Sequence, residues 1–324
     1  MSAPPFSYTP LTPEGYREPA LRLRDNPILI AQARRHLRRR QAAQSAGLHL
    51  LVGALVAFTA AQLNAAGAWV AGRNLLSWFI LFSLYWRGAG ALTVAVLSER
   101  ESGAFTFFRI SPLSPLTVVV GYLLGAPARA YLSALALAPA WALCAMRAGA
   151  EPLSVLLGLF AFALGALTFY AVVLAVTLSG AGRAQRAGAL FLWWFPFLFA
   201  EPLNAAGIHT LSHITPKPLL SSLHLTFWSE HITPARVLLF ELPLSALVYT
   251  LLVQGLMVGV ALRIAARRVA RDGQPLVSRA GGVGLLGALT LLVAGVDLNP
   301  HALSPAATLS AYGGGLPGGV ALLA

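Results

Sequence analysis

The chain has 324 residues, of which 57% are hydrophobic and 10% charged, with a net charge of +12 and a mean hydropathy of +0.71. That balance excludes an ordinary soluble domain, whose charged fraction is about a quarter. The lone cysteine, Cys144, excludes an intrachain disulfide and a cysteine metal cluster.

Residues 1–25 are polar and proline-rich and read as a disordered cytoplasmic N-terminus, without the short apolar core and cleavage site of a secretory signal. Over 26–41, Asn26 is placed as an N-cap and Pro27 as a first-turn proline. Ile30, Ala33 and Leu37 follow at helical spacing, with Gln32, Arg34, Arg35, Arg38 and Arg39 largely on the other faces. The pattern predicts a basic interfacial helix whose apolar stripe lies at the acyl boundary while its guanidinium groups meet anionic lipid headgroups. A charge cluster that merely sets topology explains the arginines equally well.

Apolar runs at 48–66, 75–97, 116–146, 153–178, 189–206 and 237–262 are each close to or above the ~20 residues a helix needs to cross a bilayer. A seventh, 282–296, is short and glycine-rich. None alternates in the manner of a membrane barrel strand, so helices are expected. The fold class read from the sequence is therefore an all-α polytopic membrane protein. It has six core transmembrane helices over 48–262 and a seventh beyond a basic cytoplasmic loop at 263–281, then an apolar Gly/Pro-rich tail to 324. Cytoplasmic loops collect arginine, and an inside N-terminus puts the arginines of 17–40, 100–109, 183–186 and 263–279 on that side. Only Arg73, Arg147, Lys217 and Arg236 then fall outside. Topology and anionic lipid thus account for the net charge, and no nucleic-acid partner is required.

Between the second and third spans the chain reads Ser98, Glu99, Arg100, Glu101, Ser102, Gly103, and then runs to Pro112 and Pro115. Ser98 with Glu101 has capping-box spacing, and Glu99 and Glu101 would sit in a first turn where the helix dipole favours them. Phe105 and Phe108 share a face, Ser111-Pro112 ends the run, and Ser114-Pro115 supplies the cap and first-turn proline of the next span. A short cytoplasmic helix with an aromatic face is predicted.

The order of residues over 98–121 resembles the first cytoplasmic loop of the type-2 family of ATP-binding-cassette (ABC) transporter permeases. Glu99-Arg100-Glu101, Gly103, the apolar-aromatic run 105–110, Pro112-Leu113-Ser114-Pro115 and Gly121 match in order and spacing. Ala104 stands where the family has Thr, and Tyr122 where it has Lys. The resemblance implies a membrane-spanning exporter subunit of a bacterial inner membrane that pairs with a second permease half. A separate ATPase subunit would dock on the short helix, and ATP would be bound there, with no cofactor on this chain. Consistent with that division, the only lysine, Lys217, lies between two prolines and belongs to no P-loop.

Charged residues inside spans are functional candidates, here Arg87, Arg129 and Glu241, with Arg129 and Glu241 a possible pair across the third and sixth spans. His209 and His213 have a four-residue spacing that zinc sites use, but their segment lacks the glutamate of a metalloprotease helix. Trp193 and Trp194 fit a substrate wall or helix packing, the commoner use. Ser179-Gly180 lacks the glycine of an intramembrane serine protease motif, since Thr177 holds that place. The competing readings are a membrane-embedded enzyme acting on lipid or through an outer histidine site, and a non-transporting scaffold.

Overall fold

The computed structural model describes residues 25–179 apart from 64 and 112, the single positions 213, 215, 216, 218, 220, 223 and 225, the stretches 236–239 and 242–270, and residue 287. The described chain is nearly all helical. In chain order, α1 is Pro27–His36, α2 Arg39–Leu63, α3 Ala66–Leu81 and α4 Ala89–Glu101, with the π-helical stretch Phe82–Gly88 joining α3 to α4. They are followed by α5 (Ala104–Ile110), α6 (Pro115–Gly125), α7 (Ala128–Arg147) and α8 (Pro152–Ser179). The strands β1 (Arg236–Leu239) and β2 (Leu242–Ser245) pair antiparallel before α9, Ala246–Ala270. Among the described residues, five helical runs are long and apolar enough to cross a membrane; the expected fifth span, and the expected seventh apart from residue 287, lie outside those residues.

The boundaries depart from the hydropathy reading in ways that have local causes. The first span begins at Arg39 instead of 48, because arginine is a good helix former and its charge can stay in water beyond the bilayer edge. The second is one helical run, Gly67–Glu101. At about 1.5 Å per residue it measures about 51 Å, against a hydrocarbon thickness of about 30 Å, so it must project well beyond the lipid. The third span, expected unbroken over 116–146, is two helices that meet at Ala126 and Pro127. Pro127 has no amide hydrogen and crowds the residue before it, which ends α6 and starts α7 afresh. The fourth agrees with α8. The sixth starts at Ala246 and not 237, the preceding residues being strand, and runs on to Ala270, absorbing the first part of the expected basic loop.

The core lies where α4, α6, α7 and α8 meet. Trp141, Tyr122, Tyr170, Phe162 and Phe169 are among the largest fully buried side chains. Trp141 donates to Ser77 Oγ at 2.8 Å, and Ser77 in turn donates to the Arg73 carbonyl at 2.9 Å. Arg73 itself is buried within α3, inside the apolar run and not in an outer loop. Helix α2 turns a small-residue seam of Ser45, Gly53, Ala57 and Ala60 to the protein. Leu48, Leu51, Leu55 and Phe58 face outward from it, the arrangement expected where lipid replaces water.

Candidate functional site

The segment between α4 and α6 forms a short helix as expected, by a different route. Ser98 is not its N-cap. Helix α4 continues through Glu101, with the Ser102 amide on the Ser98 carbonyl at 3.0 Å and Ser98 Oγ donating to the Ala95 carbonyl at 3.0 Å. Extending an existing helix adds a hydrogen bond per residue, whereas a new nucleus at Ser98 would sacrifice bonds already formed. The break comes at Gly103, whose φ of 78° lies in the left-handed region that glycine enters without a Cβ penalty. Helix α5 begins immediately after it. At the far end Ser114 and Pro115 act as predicted, Ser114 Oγ accepting from the Thr117 amide at 3.2 Å. Pro112 lies outside the described residues.

The aromatic face of α5 points inward. Phe105 is 6% exposed and stacks on Tyr122 of α6 at 5.8 Å between ring centroids, and Phe108 meets both rings edge-on. The exposed apolar side chains of α5 are Phe107 and Ile110, at 63% and 79% exposed. Arg109 Nε donates to the Val269 carbonyl at 3.2 Å, tying α5 to the end of α9.

Glu99, placed by the sequence in a first turn, occupies the last turn of α4, where the helix dipole disfavours it. Other elements satisfy it. Gln32 Nε2 donates to Oε1 at 2.5 Å, Arg35 Nη1 lies 3.7 Å from the same oxygen, and the Tyr122 hydroxyl donates to Oε2. One carboxylate thus joins α1, α4 and α6. The exposed Arg35 makes the ion pair a modest contribution beside the two hydrogen bonds. Arg100, in the same turn, suits the dipole, and Glu101 is exposed.

Helix α1 is held on α6 by this junction and by shape. Asn26 Oδ1 caps α1 by accepting from the Ile28 and Leu29 amides at 3.0 Å, as the sequence predicted, while its Nδ2 donates to the Thr117 carbonyl at 2.8 Å. Gly121 and Gly125 open the surface of α6 so that Ile28, Leu29 and Gln32 reach its backbone. The docking face is therefore Ile28 and Gln32, and the predicted stripe of Ile30, Ala33 and Leu37 remains at least partly exposed. Arg34, Arg35, Arg38 and Arg39 are all exposed, Arg38 lying past the helix and Arg39 opening α2. His36 Nε2 has no hydrogen-bond partner among the described residues, and burial first, then Arg35 and Arg129, hold its imidazole below the usual value.

Arg87 lies on the π-helical stretch, where Nη1 approaches His49 Nε2 of α2 at 3.4 Å. His49 Nδ1 is 2.6 Å from the Ser45 carbonyl, Ser45 and Ser133 share a hydroxyl bond at 2.9 Å, and Ser133 Oγ donates to the Arg129 carbonyl at 3.0 Å. A polar ladder thus links Arg87 to the start of α7. Glu241 lies outside the described residues, and no ion pair to Arg129 occurs among the described ones.

His213 is buried against α9. Its Nδ1 lies 2.8 Å from Thr250 Oγ1, its ring packs edge-on against Tyr249, and its carbonyl accepts from Gln254 Nε2 at 3.1 Å. These contacts explain His213 as an anchor for its segment. No group of three metal-ligating side chains occurs among the described residues, and His209, Trp193 and Trp194 lie outside them. His49 and Ser133 went unremarked in the sequence, Gln32 was placed only on the polar faces of α1, and Tyr122 was noted only as a departure from the resemblance. Only the pair Gly121 and Gly125, spaced as in a GxxxG helix contact, carried a readable signal. Comparison with family models, curated proteins and solved structures finds no match to this chain.

Proposed function

We propose that the chain is a membrane-spanning permease subunit of an ABC transporter, acting as an exporter in a bacterial inner membrane. Its N-terminus and α5 face the cytoplasm, it pairs with a second permease half, and ATP is hydrolysed on a separate ATPase subunit that docks on α5. The observation that carries this reading is α5 itself. A seven-residue helix is too short to be stable alone. Here it is braced by Tyr122, the end of α9 and the left-handed turn at Gly103, and it still presents Phe107 and Ile110 outward. A rigid knob with a small apolar tip suits a partner protein, and a push on it would move α4, α6 and α9 together. The resemblance over 98–121 supplies the kind of partner.

Mild-detergent purification of the full chain from its native membrane, followed by mass spectrometry, tests the proposal. The expected result is near-stoichiometric recovery of a P-loop ATPase. That recovery should be lost in Phe107→Ala/Ile110→Ala while the thermal unfolding profile is retained. Recovery without an ATPase, under conditions that preserve other membrane complexes, would refute it.

A further inference from the structure

The surroundings of Arg87 point to a ligand. The Ser45 carbonyl can only accept, so His49 carries its proton on Nδ1, and Nε2 is left as the acceptor facing Arg87 Nη1 and Ser83 Oγ, both at 3.4 Å. Accepting through Nε2, the imidazole brings no negative charge to set against the guanidinium. Arg129 is near enough to oppose that charge, and no carboxylate among the described residues lies within ion-pair distance of either arginine. Arg129 Nε is buried without a hydrogen-bond partner.

Position makes this imbalance costly. Arg87 is about 21 Å along the helix from Glu101 and about 30 Å from Gly67, so it falls within the hydrocarbon or at its boundary wherever the run is set in a bilayer. An uncompensated cation there is expensive. Arg87 is also partly exposed, next in sequence to Trp86, which stacks on Phe82 at 6.4 Å, the two rings being 46% and 53% exposed. The π-helical turns shift the register that aims these side chains. Their loosened backbone is held by the Tyr170 hydroxyl on the Leu84 carbonyl.

We propose that Arg87, oriented by His49, binds the phosphate of an anionic membrane lipid whose acyl chain lies along Phe82 and Trp86. The apolar tail meets the two rings and the headgroup is drawn to the guanidinium, a geometry that zwitterionic lipid satisfies less well because its own cation faces Arg87 and Arg129. This goes beyond the transport reading and stands without it, since it needs only that the Gly67–Glu101 run crosses a bilayer.

The test places the full chain in phosphatidylcholine bilayers and measures tryptophan quenching by brominated phosphatidylglycerol or brominated phosphatidylcholine. The contribution of Trp86 is isolated by difference from Trp86→Phe. One arginine near a membrane surface is worth about 1 kcal/mol toward anionic lipid, so roughly fivefold preference for phosphatidylglycerol is expected at Trp86. Arg87→Gln should bring that ratio to about one and Arg87→Lys should keep most of it, since lysine retains the charge. Equal quenching by both lipids, or a preference that survives in Arg87→Gln, would overturn the site. Displacement of the brominated anionic lipid by inorganic phosphate would overturn the lipid assignment and leave a site for a soluble anion.

Discussion

Substituting Gly121 by Ala is expected to undock α1 from α6. The added Cβ would lie 2.6 Å from Ile28 Cβ and 2.9 Å from Asn26 Oδ1. Carbon atoms pack best at about 3.5–4.0 Å, so α1 must retreat by about 1 Å. Ile28 Cβ is fixed to the backbone and has no rotamer that avoids the clash. The retreat stretches the 2.8 Å bond from Asn26 Nδ2 to the Thr117 carbonyl and loosens the Gln32 bond to Glu99. Overpacking costs about 1–3 kcal/mol and each strained hydrogen bond about 1 kcal/mol, while replacing glycine in α6 returns about 1 kcal/mol of helix propensity. The net is about 2–4 kcal/mol, concentrated in α1. Tryptic cleavage at the exposed Arg34 and Arg35 reads that opening directly when closing is fast relative to cleavage, and a roughly thirty- to several-hundredfold acceleration is expected. Gly90→Ala in α4 is the control, because its Cβ would meet nothing within 4 Å and only the propensity gain applies. If Gly121→Ala is cleaved no faster than the Gly90→Ala protein, the close-approach argument fails.

Glu99→Ala removes the acceptor for Gln32 and Tyr122 and should cost about 1–3 kcal/mol, read by the same cleavage assay; wild-type protection in that variant would refute its role as the junction. Phe105→Ala should cost about 3–5 kcal/mol in thermal or denaturant unfolding because the ring is buried on Tyr122. Phe107→Ala should change stability by no more than about 0.5 kcal/mol, since that ring is 63% exposed. Equal losses in the two would contradict the inward orientation of the aromatic face. His36 is held neutral in the folded chain by burial and nearby arginines, so its folded-state pKa lies below the 6.5 of an unperturbed imidazole. The unfolded chain then binds more protons on falling pH, and the contribution present above 6.5 is lost as pH drops through the lower folded-state value. Unfolding temperature should therefore fall more steeply below pH 6.5 in the native chain than in His36→Gln, and parallel curves would refute it.

The parts legible in the sequence were those governed by near neighbours. Asn26 with Pro27, and Ser114 with Pro115, cap their helices because the cap acceptor and its amide are two or three residues apart. Helical membrane character followed from composition, which no tertiary contact alters. Ser98 failed as a cap although its spacing to Glu101 was correct, because an apolar helix already extended through it and only Gly103 offered a left-handed stop. Local rules report which residues suit an end, not whether a helix is still propagating when it arrives there.

The larger omission concerned faces. Helical spacing groups Ile30, Ala33 and Leu37 as an apolar stripe for the acyl boundary and says nothing of which face meets another helix. Gln32 is 3% exposed because Glu99, 67 residues away, supplies an acceptor for its amide, and because Gly125 leaves room for its Cβ. Both conditions belong to other helices. Glu99 in turn tolerates the unfavourable end of α4 because Gln32 and Tyr122 donate to it. Tyr122 therefore answers to Glu99, whose Oε2 accepts from its hydroxyl. In a membrane chain with few charges, burying a polar residue is costly unless another matches it, and where a match exists it is set by packing between helices distant in sequence. The residues least predictable from local pattern, Gln32, His49, Tyr122 and Ser133, are accordingly the ones that join the helices around α5 and Arg87.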